Sequence, residues 1–530
     1  MSPNRRIFLN IAATYGRSLY ALACGLFTAR WVYLTLGKSD YGLYGVVGGL
    51  TVFIAFINNV LGVSVGRYYA YSVGRAKIEG HEAEGLEECR QWFNTAVVLH
   101  TVVPVLLMAV GYPIGEWAVR NFLTIPADRV EAFVWIFRFS CITCFWGMFS
   151  VPFNAMYAAK QYIAELTVYS FAQTTVNVLF LCYMVNHPGD WLVRYGLWNC
   201  LLAIVPAIII TARAYVVFPE CRFNVDYMRS IRHLKELGKF AGLFSLELFG
   251  NLFRFNAMPI LINKYFGPVM NAAYSVANNV CSHTQSFSAS LRTAFQPAIV
   301  TAVGAGRKEE AIALMFRICK FGTLAVLVFA IPICIEIKEI LLVWLKTPPP
   351  FAAWLTVGVI MALVLDKMTT GHFIALNALD NIPIYRIAIG ACFFSTFPIA
   401  WALIVSGLGV YSIVIALNLV LLVATALRIL YVARCFSVPP KLWLSRILLP
   451  IAMTTAISVI VGLGSTMCRP PSVSRVFITL AAFELVFIPL SWMLVLDNNE
   501  RQFIVSRMKD FFKLFFLHNH ISQTMVQRIK

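Results

Sequence analysis

Charge is scarce in this sequence: 13% of its 530 residues are Asp, Glu, Lys or Arg, about half the ~25% of an ordinary soluble protein. A water-soluble globular core is therefore excluded. Long polar connections are also missing, which leaves no room for a soluble catalytic or nucleotide-binding domain. There is no GxxxxGK[ST] phosphate loop, since Gly304, Gly306, Arg307 and Lys308 lack its spacing, so an ATP-driven pump built from this chain alone is excluded. After Arg5 and Arg6 no short apolar region leads to a small-residue cleavage site, and the first apolar stretch reads as a retained helix. Thirteen cysteines lie mostly in apolar runs, and Cys141 with Cys144 forms the one CxxC. On a helix inside a membrane these are packing thiols rather than a disulfide or metal set. No cofactor, no metal and no enzymatic chemistry are expected.

What the sequence has instead is apolar length. Residues of the apolar class make up 59% of the chain and recur in runs of about 20, the number that crosses ~30 Å of hydrocarbon as a helix. Backbone groups in lipid find no water, so such runs must be helical. The reading is an all-α polytopic membrane protein of about fourteen transmembrane helices, near 7–36, 41–66, 93–117, 132–156, 166–186, 192–212, 240–263, 272–303, 318–345, 353–379, 387–405, 410–427, 447–467 and 476–496. The net charge of +18 sits between spans rather than on a soluble face, so it reports topology and not a nucleic-acid partner. Most Lys and Arg fall on the side that also carries both termini, which the positive-inside rule makes cytoplasmic.

Sliding the first half over the second by 230 positions superposes Gly37 on Gly267, Tyr44 on Tyr274, Val46 on Val276, Leu61 on Leu291, Gly74 on Gly304 and Cys89 on Cys319. Six spans per half preserve orientation, which gives a parallel repeat about an axis along the membrane normal and a cleft between two bundles. The expected organisation is an N-terminal lobe over 1–214, an interfacial linker over 215–239, a C-terminal lobe over 240–434, two appended spans over 435–497 and a cytoplasmic amphipathic tail over 498–530. Linker and tail both set Phe, Tyr, Ile and Leu against Arg and Lys, as membrane-surface helices do.

Ionisable groups inside spans cost roughly 2.5 to 3.5 kcal/mol at a helix centre, so each needs a partner, a wet cavity or an exit. Arg17 lies about 15 Å into the first span. Glu247, Asn251 and Arg254 follow i, i+4, i+7 spacing and share one face of the seventh. The repeat sets Glu247 against Arg17, either as cleft-lining groups or as a bridge between halves. Asn278, Gln285 and Arg292 form a stripe on the eighth span, suited either to sugar hydroxyls and phosphates or to bonding between helices. Arg138, Glu484 and the Asp366 and Lys367 pair complete the set; adjacent on a helix, the last two point apart and should not neutralise each other. Glu336, Lys338 and Glu339 read as interfacial. Cations outnumber acids, and Arg binds phosphate bidentately, so an anionic headgroup is favoured.

The stretch LGKSDYGLYGVVGGL at 36–50, with Gly66, Arg67 and the VGRAK at 73–77, resembles the first two helices of Wzx-type polysaccharide flippases of the MOP superfamily, and FGPVMNAAYSVANNV at 266–280 is similar to their C-terminal lobe. The resemblance implies two six-helix lobes and the flipping of undecaprenyl-diphosphate-linked oligosaccharide to the outer leaflet of a bacterial inner membrane, for O-antigen lipopolysaccharide, capsule or exopolysaccharide. Arg17, Arg138, Arg254 and Arg292 with Asn251, Asn278 and Gln285 would then bind substrate, and in the competing cation-coupled reading Glu247 or Asp366 would carry the coupling ion. Implied partners are the lipid-linked oligosaccharide, membrane lipid, a glycan polymerase and glycosyltransferases. The related lipid II flippases carry an arginine in the first helix, which Arg17 matches, but Ser18 stands where those proteins have Asp. A cation-coupled exporter similar to the MATE transporters is the competing reading, and a non-transporting scaffold for glycan assembly is a third.

Overall fold

A computed structural model describes residues 3–50, 61–62, 65–66, 68–69, 72, 82–160, 162–228, 250, 254, 257–304, 306–379, 382–467, 469–502 and 505. Among the described residues all regular structure is helical. In chain order the helices are α1 (Pro3–Leu50), α2 (Glu82–Trp117), α3 (Val130–Phe149), α4 (Val151–Ala159), α5 (Ile163–Asn186), α6 (Leu192–Val217), α7 (Met258–Gly304), α8 (Lys308–Ile335), α9 (Ile337–Leu345), α10 (Ala352–Lys367), α11 (Thr370–Asn377), α12 (Pro383–Phe394), α13 (Thr396–Leu403), α14 (Tyr411–Phe436), α15 (Leu449–Met467) and α16 (Val473–Leu490). Nine described spans are long and apolar enough to cross a bilayer; the bent pair α10 and α11 raises this to ten. Residues 51–60, 63 and 64 of the expected span at 41–66, and most of the expected span at 240–263, lie outside the described residues. So do residues 229–239 of the linker and 506–530 of the tail.

α1 and α7 are 48 and 47 residues long, over twice one crossing. Each is broken once, α1 at Gly37 (φ 78°, ψ 171°) and α7 at Gly267 (φ 78°, ψ 179°). That backbone region is essentially reserved for glycine. The two breaks are 230 positions apart and share one conformation, so the spacing seen in the sequence recurs as geometry.

By packing, the chain forms two compact units: residues 1–280, 344–359 and 383–420, and residues 281–343, 360–382 and 421–530. In the first, small residues let helices approach. A Cβ on Gly42 would lie 2.0 Å from the Pro268 carbonyl oxygen and 2.8 Å from the Ala272 nitrogen, and one on Gly45 would lie 3.0 Å from Ser275 Oγ. Gly42 with Ala272 and Gly45 with Ser275 are again 230 apart, so α1 and α7 cross through equivalent positions, as a pseudo-two-fold axis requires. Small-residue crossings are how membrane helices gain van der Waals contact where lipid removes the hydrophobic drive. An aromatic core of Phe93, Phe153, Tyr157 and Phe218, all under 5% exposed, joins α2, α4 and the end of α6.

The second unit contains α8, α11, the appended pair α15 and α16, and parts of α7, α10 and α14. Gly371 of α11 packs with its Cα against α8, where a Cβ would meet the Met315 carbonyl oxygen at 2.0 Å. Gly462 of α15 does the same beside Ile335 and Phe483.

Candidate transport sites

The crossing of α1 and α7 is held by polar groups that have no water to turn to. Asn271, fully buried, donates from Nδ2 to the Gly42 carbonyl at 2.6 Å, and Asn279 Nδ2 donates to the Tyr41 hydroxyl at 2.7 Å. Asn263 Oδ1 accepts from the Thr124 N–H at 2.9 Å, and the Tyr33 hydroxyl donates to the Thr347 carbonyl at 2.7 Å. Four helices and their connections thus meet around the two glycine breaks. Asn271, Asn263 and Tyr33 did not stand out in the sequence; their spacing from the glycines was the available signal.

The sequence-predicted site residues separate into several environments. Arg254 is 4% exposed, with its guanidinium over the Phe393 ring at 4.7 Å, a desolvated cation–π arrangement. Arg138 donates from Nε to the Tyr112 hydroxyl at 3.0 Å and pairs with Glu116 at 3.3 Å. Glu116 in turn bonds Arg120, which also pairs with Glu131. Arg138 is therefore one rung of a charge ladder between the ends of α2 and α3. Asn278 is half-buried, while Gln285 and Arg292 are exposed, so the stripe on α7 exists as a face that opens along the helix. The Arg17 side chain, Glu247 and Asn251 lie outside the description.

Asp366 sits where α10 ends, at the 50° bend into α11. The expectation that Asp366 and Lys367 do not interact is corrected here. Lys367 Nζ reaches Asp366 Oδ2 at 3.4 Å, because the helix stops at Lys367 and the long side chain folds back. The stronger partner is Arg428 of α14, donating to Asp366 Oδ1 at 2.9 Å and Thr369 Oγ1 at 3.0 Å while lying over the Phe373 ring. Arg428 is 3% exposed, one residue beyond the expected span at 410–427. Broken membrane helices often carry binding sites at the break, and here the break holds a carboxylate between two cations. Nearby in the same unit the buried Cys319 Sγ contacts His372 Nδ1 at 3.4 Å and accepts from the Gly371 N–H.

A second correction concerns Glu336. Read as interfacial, it is 1% exposed and accepts a bidentate fork from Arg475 (3.0 and 2.7 Å) and the Thr479 hydroxyl at 2.9 Å. The two ends of that bridge are 139 residues apart, beyond any local pattern. Glu484 is half-buried, with both carboxylate oxygens shielded and no hydrogen-bond partner among the described residues. No group of three His, Cys, Asp or Glu among the described residues is placed to hold a metal ion.

Comparison with known proteins fits this geometry. Residues 244–370 match the MatE family model. No curated relative matches the sequence. Among solved structures, the chain is similar to a lipid II flippase, MurJ, in an inward closed conformation, at 12% identity and TM-score 0.65, over 92% of this chain and 98% of that one. It is also similar to a multidrug resistance MATE family transporter of the MOP superfamily in its inward-facing form (17% identity, TM-score 0.57, 79% of this chain and 94% of that one) and its outward-facing form (16%, 0.56, 82% and 94%). The fold matches those of the MurJ flippase and of the MATE transporter.

Proposed function

We propose that the chain flips an undecaprenyl-diphosphate-linked oligosaccharide from the cytoplasmic to the outer leaflet of a bacterial inner membrane, as a step in O-antigen, capsule or exopolysaccharide synthesis. One observation carries the choice within the fold. The likeness to the lipid II flippase extends over 92% of this chain, against 79–82% for the multidrug transporters. The longer match supports a lipid-linked substrate over a soluble drug, because the structure matched over more of the chain is a lipid flippase. The excess of cations over acids among the intramembrane candidates supports an anionic headgroup. In this reading Arg17 and Arg254 bind the diphosphate, Asn278 and Gln285 meet sugars, two six-helix lobes rock about the repeat axis, both termini are cytoplasmic, and glycosyltransferases and a polymerase act before and after the step.

A deletion strain should accumulate lipid-linked oligosaccharide on the cytoplasmic side, and the Arg254→Gln chain should insert normally without restoring export. Normal glycan in the deletion strain, together with drug sensitivity cured by the chain, would overturn the reading. The drug-exporter alternative has its own support in the MatE match at 244–370, which includes Asp366 as a coupling candidate.

A further inference from the structure

Within the second unit, a cavity of about 630 Å³ opens between the middle of α8 and the cytoplasm-assigned ends of α15 and α16, within the usual range of small-molecule sites. Two of its walls are π-helical turns, Leu444–Leu448 before α15 and Ser491–Val495 after α16. The widened turn at 491–495 is held by Arg501, whose guanidinium donates to the Trp492 and Met493 carbonyls at 2.8 and 2.9 Å.

The lining divides by chemistry. Pro450, Leu494, Val495 and Leu496 are apolar; Ser445 and Asn499 offer neutral donors and acceptors. Lys320, 4% exposed, is compensated by Glu500 at 2.8 Å, with Asp497 farther off at 3.6 Å. Two charged side chains of the lining are accessible. Arg446 is exposed and has no ion-pair partner among the described residues, and the Asp497 side chain is 52% exposed. A purely anionic ligand would meet Asp497, and a purely cationic one would meet Arg446. A group with both signs satisfies both. The segments that line the cavity also carry exposed apolar side chains, Leu449 at 50%, Met453 at 56% and Met493 at 67%, so an amphiphile fits better than a soluble zwitterion.

We infer that this cavity binds the headgroup of a zwitterionic phospholipid of the phosphatidylethanolamine type. Its phosphate lies on Arg446 and Ser445, its primary ammonium on Asp497 and Asn499, and its acyl chains run along the lipid-facing sides of α15 and α16. A quaternary ammonium cannot donate hydrogen bonds to a carboxylate, so choline headgroups bind less well. Glycerol headgroups lack the positive charge.

The test uses the full-length chain, purified in detergent and offered dioleoyl phosphatidylethanolamine, phosphatidylcholine or phosphatidylglycerol, with retained lipid read by native mass spectrometry. One ethanolamine lipid per chain should be retained about tenfold better than either other lipid, the weight of one charge-assisted hydrogen bond. Arg446→Gln should lower retention of all three lipids, since each carries the phosphate that Arg446 holds, and Arg446→Lys should keep most of it; Arg446 is exposed, so neither change threatens folding. Asp497→Asn should shift the preference toward the glycerol lipid. Equal retention of ethanolamine and glycerol lipids would mean an anion site and overturn the inference, as would equal retention of choline lipid, undiminished retention in Arg446→Gln, or an unaltered preference in Asp497→Asn.

Discussion

Single residues in this protein are costly where a charge is buried against one matched partner. Glu336 and Arg475 form such a pair, with the carboxylate 1% exposed. Removing one member leaves the other without its partner, while replacing both with neutral groups costs far less. Arg475→Met should therefore lower the thermal midpoint of the purified protein sharply, and Glu336→Gln added to it should recover most of the loss. An additive double variant would show that the bridge contributes nothing. Asp497 makes a different prediction, through pH. Burial alone would raise its carboxyl, but the Glu500 backbone N–H and the charges of Lys320 and Arg317 outweigh burial and hold it below the ordinary carboxylate range. An acid whose folded value is depressed adds stability above its unfolded value, and that contribution vanishes as pH falls through the folded one. Acid unfolding below about pH 4 should be shallower in Asp497→Asn, and identical acid limbs for the two chains would refute the assignment.

Elements are governed by the two glycine breaks. Gly37 and Gly267 share a backbone conformation that a side chain strains by about 1 to 3 kcal/mol, and neither has an atom within 4 Å of an added Cβ. The cost of Gly37→Ala and Gly267→Ala is thus conformational rather than steric, and it should be nearly equal for the two. Unequal thermal shifts, differing by more than about 1 kcal/mol, would mean that the repeat is not energetic as well as geometric. This symmetry was legible in the sequence because glycine at a forced backbone angle leaves a residue-level mark at fixed spacing. Helical class and membrane embedding were legible for a similar reason, since hydrocarbon permits little else. Pairings were not. Arg428 with Asp366 and Arg475 with Glu336 join residues 62 and 139 apart, and the rule that puts Arg at surfaces hid both arginines. Arg138 was visible as a membrane charge, yet the ladder of Glu116, Arg120 and Glu131 that surrounds it emerges only when α2 and α3 pack.

At the scale of the whole molecule, the crossing of α1 and α7 is where a parallel repeat must be tested as a machine. Equivalent residues meet there, Gly42 with Ala272 and Gly45 with Ser275, under the clasp of Asn271 on the Gly42 carbonyl. If the halves rock about their common axis, as the proposed flipping requires, contacts on the axis at one end of the helices must loosen when that end opens. Cysteines at Gly45 and Ser275 start close enough to be bridged, since a Cβ on Gly45 lies 3.0 Å from Ser275 Oγ, within the reach of disulfide geometry. Oxidation of the Gly45→Cys, Ser275→Cys chain should form the bridge in membranes and stop glycan export, and reduction should restore it. Either single cysteine should export under both conditions. A bridge that forms fully while export continues would show that this crossing stays shut throughout the cycle, and the substrate would then have to leave by a route that does not part α1 from α7.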